Sequence, residues 1–161
     1  MILRLFAALA ALALATTVSA QQTATAPVAD FSTAPVTAGL WTYQAVPGGS
    51  TARFIDATGT ARFALECSKA TRRVTLSRTS AIAAPSLLLW ASDASRVLAA
   101  RFEPNAMRVS AELAARDPLL DAIAFSRGRI AVTLGGAGAG SAPLVMPAWP
   151  EAARTIEDCR I

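Results

Sequence analysis

Thr51-Ala52-Arg53-Phe54-Ile55-Asp56-Ala57-Thr58-Gly59-Thr60-Ala61-Arg62-Phe63-Ala64-Leu65-Glu66-Cys67 is the stretch that decides the fold. From Thr60 to Cys67, residues Ala61, Phe63, Leu65 and Cys67 fall on one face and Arg62 and Glu66 on the other, the two-residue period of a half-buried strand. Thr51 to Asp56 precedes it, and Ala57-Thr58-Gly59 is short enough to make the pair a hairpin. Cys67 then points inward with Phe63 and Leu65.

The same grammar continues on both sides. Leu40 to Val46 reads as a strand ended by Pro47-Gly48-Gly49, and Arg73 to Thr79 as another with Val74 and Leu76 inside. Ser86 to Ala91 is apolar on both faces, which predicts a central strand covered on both sides. Asp93-Ala94-Ser95 turns the chain into a strand from Arg96 to Phe102. Glu103-Pro104-Asn105 turns it again into Met107, Val109, Ala111 and Leu113, with Arg108, Ser110 and Glu112 outside.

Asp117-Pro118 breaks the pattern. An Asp N-cap accepts from free helix N–H groups and Pro has none to lose, so a short helix is expected from Pro118 to about Ser126. Leu119, Leu120, Ile123 and Phe125 supply its apolar spacing and Gly128 its left-handed C-cap. Ile130, Val132 and Leu134 resume alternation, Gly135 to Ser141 is a glycine-rich loop, Leu144 to Met146 a returning strand, and Pro150 to Asp158 a second short helix. About eight or nine short strands and two small helices predict a mainly β protein, an antiparallel β-sandwich or partly open barrel.

Upstream, Arg4, an apolar run from Leu5 to Ala15 and the small residues Val18 and Ala20 predict a secretory signal peptide over residues 1–20. Residues 21–38, rich in Gln, Thr, Ala, Pro and Val, read as a disordered leader. Residues 39–161 are expected to form one β-rich domain, periplasmic or secreted, with no membrane span after signal cleavage. The whole chain has 15 basic and 11 acidic residues. Arg4 leaves with the signal, so the mature excess is small and spread out, which excludes a nucleic-acid footprint.

Histidine is absent. No Ser/His/Asp triad, Cys/His pair or His-bearing zinc site can be built, and neither a metal nor another cofactor is expected. Cys67 and Cys159, an even pair in an exported chain, predict one disulfide closing a loop of about 90 residues. Ala124-Phe125-Ser126-Arg127-Gly128 imitates a nucleophile elbow, but helix precedes strand there, the reverse of what an elbow needs. The glycine run lacks the Lys-Ser/Thr of a phosphate loop and opens no helix. Asp117 and Asp121 are accounted for by capping and the helix dipole.

The C-terminal residues carry the candidate site. Trp149, Glu151 and Arg154 lie beside the disulfide, and Arg127 and Arg129 enter the neighbouring strand. As structure they predict Glu151 pairing with Arg154, and Arg160 or Arg127 pairing with Asp158. As function they predict a recognition patch, since Trp and Arg dominate binding hot spots.

Asp117-Pro118-Leu119-Leu120-Asp121, Ala124-Phe125-Ser126-Arg127-Gly128-Arg129, Pro147-Ala148-Trp149-Pro150-Glu151, Arg154 and Ile156-Glu157-Asp158-Cys159-Arg160 together resemble the C-terminal signature of an uncharacterised family of small exported bacterial proteins. That resemblance spans Trp41 to the end and implies export without implying an activity. The layout is also similar to exported β-sandwich proteins of the invasion-associated locus B type, a likeness that implies fold alone. The expected function is a non-enzymatic interaction domain that binds a protein or envelope partner. The alternatives are a carboxylate-based periplasmic glycan hydrolase, which needs two suitably spaced acids, and a carrier of a small apolar ligand, which needs a cavity between the sheets.

Overall fold

The structure is a computed structural model and describes residues 29–136 and 142–161. The expected signal peptide, residues 21–28 of the leader and residues 137–141 of the glycine-rich loop lie outside the described residues. Among the described residues ten strands form two antiparallel sheets: β1 Gly39–Val46, β2 Gly49–Asp56, β3 Ala61–Ser68, β4 Arg73–Thr79, β5 Ser86–Ala91, β6 Ala94–Ala99, β7 Arg101–Glu103, β8 Arg108–Ala114, β9 Arg129–Gly135 and β10 Leu144–Pro147. The large sheet runs β1-β2-β3-β4-β8-β7 and the small one β10-β9-β5-β6. The expectation of an antiparallel sandwich with two short helices is met: α1 spans Pro118–Ala124 and α2 spans Pro150–Asp158. No helix among the described residues is long and apolar enough to cross a membrane.

Register explains the core. Phe54 faces Phe63, Leu65 faces Leu76 and Cys67 faces Val74, so alternating residues of neighbouring strands line one inner face. Leu87, Leu89, Ile130 and Val132 of the small sheet meet them, and Leu120 and Ile156 bring the two helices into the same cluster. Trp41 closes the edge, stacked edge-on against Phe54 and Phe63, with its indole N–H donating to the Pro147 carbonyl at 2.8 Å. On β5 only the inward residues are fully buried. Leu88 and Trp90 on the outer face are half-buried, so this strand is less completely covered than its apolar run implies.

Alternation also carries Arg78 inward, opposite Phe63 and Val109. It is 7% exposed, and its guanidinium donates to the carbonyls of Val132 and Ala142, both at 2.6 Å. One side chain of β4 thereby satisfies the backbone of β9 and of the residues leading to β10. Burial pushes the Arg78 guanidinium down to about 10, helped by nearby Arg62, which leaves it charged at neutral pH.

Several boundaries differ from the sequence reading for definable reasons. Arg96 to Phe102 is not one strand: the chain kinks at Ala100, whose N–H donates to the Pro85 carbonyl, and it passes from the small sheet to the large one. Leu98 and Phe102 both still face the core, so the alternation conceals the corner. The turn before β6 is Ser92-Asp93, because Ala91 already pairs with Ala94. Met107, expected inward, is exposed; it adopts a left-handed conformation after a 3₁₀ turn at Pro104–Ala106. Asp117 caps α1 as expected, accepting from the Leu119 N–H at 2.9 Å, but the helix ends at Ala124. Phe125 therefore leaves the apolar face, and Gly128 lies beyond the cap.

Cys67 and Cys159 are disulfide-bonded across a separation of 92 residues. Cys159 is the residue after α2, so the bond fastens that helix to β3. Gly49 of β2 passes so close to the Cys67 carbonyl of β3 that a Cβ there would clash with it. Closing a loop this long stabilises the fold by roughly 4 to 5 kcal/mol in the chain-entropy model. Cys159→Ser is predicted to lower unfolding stability by about that amount in denaturant melts, and the reductant sensitivity of the native protein should vanish in the variant. A variant as stable as the native protein would refute the tie's contribution.

Candidate functional site

α2 buries Ala152, Thr155 and Ile156 against β1, β2 and β3 and exposes Pro150, Arg154 and Glu157. Arg154 and Asp158, four residues apart, share a side of the helix. That side faces Tyr43 of β1: the Arg154 guanidinium lies 4.0 Å from the ring centroid, and the Tyr43 hydroxyl donates to Asp158 at 2.6 Å. This hydrogen bond raises the Tyr43 hydroxyl above its ordinary range. For Asp158, desolvation pushes the pKa upward, but the Tyr43 hydrogen bond and nearby cations leave it lowered overall.

The expected ion pairs are therefore rearranged. Asp158 pairs with neither Arg160 nor Arg127. Arg160, just past the helix, reaches across to α1 and binds Asp121 at 2.6 Å, Glu157 at 2.9 Å and the Ala115 carbonyl at 2.9 Å. Glu151 does not meet Arg154; its Oε2 is buried and has no hydrogen-bond partner among the described residues. Side-chain spacing on α2 is unchanged, but the helix is seated so that Arg154 and Asp158 both meet Tyr43 of β1 rather than the partners expected from sequence.

Arg127 and Arg129 share a groove of about 320 Å³ with Asp30, Ser32, Trp90 and Ser92. Arg129 is the buttress of this groove. Its guanidinium donates to the carbonyls of Ala34 at 2.8 Å and Ser32 at 2.5 Å. Residues 29–38 are thus held on the small sheet, with Phe31 at 7% exposure packed among Ala131, Val145 and Trp90, and the Thr37 N–H donating to the Val145 carbonyl. Arg127 differs. Its backbone N–H donates to Ser92 Oγ at 3.0 Å, within a Ser92–Ser126 hydrogen-bonded stitch, while its side chain is exposed and has no charged or carbonyl partner among the described residues. Ser126 is a loop staple in this arrangement, donating to the Arg129 carbonyl at 2.8 Å.

One backbone bond joins the two loops that carry the exposed aromatics. The Ala148 N–H donates to the Gly128 carbonyl at 3.0 Å, which sets the start of α2 beside the end of α1. Trp149 is 42% exposed and Phe125 is 69% exposed, with Arg127 between them along the chain. Sequence reasoning placed Trp149 and Arg127 in the site and missed Phe125. Its helical spacing signalled burial, and only the early end of α1 turns it outward.

The solvent face of the large sheet carries a separate charge network. Arg108 binds Glu103 at 2.9 Å and Glu66 at 3.7 Å, and the Ser110 hydroxyl donates to Glu103 at 2.5 Å. Glu66 and Glu103 are thus two carboxylates joined through one cation. A glycosidase acid needs a raised pKa. The Ser110 hydrogen bond and Arg108 instead hold Glu103 below its ordinary value. The space between the sheets is occupied by Phe54, Phe63, Leu65, Leu89, Ile130 and Met146, each under 2% exposed apart from Phe63 at 2%.

Two outcomes follow. Arg129→Ala should release residues 29–38, cost about 1 to 3 kcal/mol and speed chymotryptic cleavage at Phe31; cleavage at the native rate would show that the segment is held by other contacts. Because Glu103 is lowered in the folded state, its contribution is present above the unfolded carboxylate pKa and is lost as pH falls through the folded one. Melting temperature between pH 6 and 2 should fall less steeply for Glu103→Gln than for the native chain, and superimposable profiles would contradict the assignment. Among protein-family models, curated proteins and solved structures no match to this chain was found, so the chemistry of the site rests on its own geometry.

Proposed function

We propose that the protein is exported to the periplasm or beyond and acts there as a non-enzymatic interaction domain, binding a protein or envelope partner through the ridge of Phe125, Arg127 and Trp149. The observation that carries this reading is that two loops joined by the Ala148–Gly128 backbone hydrogen bond expose two aromatic side chains and an arginine with no partner among the described residues. An aromatic with a large exposed area offers apolar binding surface, and an uncompensated guanidinium offers a bidentate donor. Together they suit a partner that presents a carboxylate beside an apolar surface. Export is supported by the Cys67–Cys159 bond, which persists in an oxidising compartment, and by the signal-peptide pattern of residues 1–20.

Arg129, Glu151 and Arg154 belong to the framework of this surface. Arg129 anchors residues 29–38, and Arg154 packs on Tyr43, so their loss acts on the ridge only by way of its support. All three ridge residues face solvent, which allows substitution without disturbing the core. Capture from envelope extract should lose its specific partner when Phe125→Ala and Trp149→Ala are combined, or when Arg127→Glu is introduced. With a purified partner, affinity should drop by at least about thirtyfold for the double variant. Identical partners and affinities for native and variant proteins would overturn the ridge as the binding surface.

A further inference from the structure

We propose that β1 is a homodimerisation edge, on which β1 of a second copy pairs antiparallel with Tyr43 on the twofold axis. This surface is distinct from the ridge of Phe125, Arg127 and Trp149. β1 is an end strand of the large sheet, and among the described residues no strand pairs with its outer side. Its turn into β2 is Pro47-Gly48, with Gly48 at φ +80°, so Val46 and Gly49 form a hydrogen-bonded pair, followed at every second residue by Gln44–Thr51, Thr42–Arg53 and Leu40–Ile55. The Ala57 N–H, donating to the Ala38 carbonyl, continues the same parity. Gly39, Trp41, Tyr43 and Ala45 therefore direct their N–H and C=O groups to the free edge.

Sheet edges are ordinarily blunted by charge, proline, a bulge or brevity. The other three edges show these devices: β7 has three residues, two of them charged; β10 has four, ends in Pro147 and has its Val145 carbonyl occupied by Thr37; β6 carries Arg96. β1 has none of them. Its eight residues, Gly-Leu-Trp-Thr-Tyr-Gln-Ala-Val, hold no charge and no proline and keep regular register throughout.

The strand is also complementary to itself. With Tyr43 on the axis, Trp41 of one copy forms a hydrogen-bonded pair with Ala45 of the other. On the solvent face, Leu40, 49% exposed, meets Val46, 38% exposed, and Thr42 meets Gln44. A slip of two residues either way sets Leu40 against Gln44 or beyond the strand at Gly48, so of these three registers this one alone matches apolar with apolar. Such an isologous contact closes after two copies. At the axis each Tyr43 brings Arg154 and Asp158, whose charges compensate within one copy.

Sedimentation velocity of the disulfide-intact mature chain over a concentration series tests the proposal. The native protein should dimerise. Thr42→Lys with Gln44→Lys places like charges opposite each other twice and should weaken the dimer by about tenfold or more, whereas Thr42→Lys with Gln44→Glu places opposite charges there and should restore it. Both positions are exposed, and circular dichroism melts verify that both variants fold. A native chain that stays monomeric at the highest concentration reached overturns the proposal. So do two double variants that dimerise equally well, or two that are equally monomeric while folded.

Discussion

The covalent bond between β3 and the residue after α2 is the constraint on which the surfaces of this protein depend. The ten strands could bury most of their apolar face between themselves, but α2 is a nine-residue helix, short enough to be marginal without tertiary support. Cys159 fastens its last turn to the inner face of the large sheet, and Arg160 fastens the same end to α1 through Asp121. From this anchorage follow the Tyr43–Asp158 hydrogen bond, the stacking of Arg154 and the presentation of Trp149. The disulfide acts at one end of α2, and the exposed Trp149 lies at the other.

A second constraint works inside the sandwich without covalent chemistry. Arg78 stands where alternation calls for an apolar side chain and donates to one carbonyl of the opposite sheet, that of Val132, and to that of Ala142 in the segment leading to β10. Leaving those carbonyls dry and unpaired would cost free energy, and so would burying the guanidinium without partners; each solves the other's problem. No carboxylate among the described residues pairs with it, and that absence separates Arg78 from the mixed ion pairs of the outer face. Arg129 follows the same logic at the surface, where carbonyls of residues 32 and 34 take the place of an acid. In both cases an arginine acts as a clamp for backbone.

Much of the fold could be read from period-two alternation, because one buried face forces it: β3, β4, β5 and β8 are recognisable from Phe63, Leu65, Val74, Leu76, Leu87, Leu89, Val109 and Leu113 alone. What alternation does not encode is which sheet a strand joins. The corner at Ala100 preserves the phase of Leu98 and Phe102, so β6 and β7 read as one strand. Exposure at element ends was equally hidden, since Phe125 has the spacing of a core residue until α1 stops one residue before it. The anchoring of residues 29–38 had a faint signal in Phe31, the single aromatic in a stretch of small and polar residues. The partners of Asp158 and Arg160 were unreadable because they depend on how α2 is rotated and seated, a tertiary quantity.

The surface proposed for binding is supported by a helix that the Cys67–Cys159 bond holds in place. Amide hydrogen exchange of the oxidised and the reduced protein, followed residue by residue under otherwise identical native conditions, tests that claim most directly. Reduction should strip protection from residues 150–158 while the central strands β3, β4, β5 and β9 stay protected. Undiminished protection of α2 after reduction would contradict it.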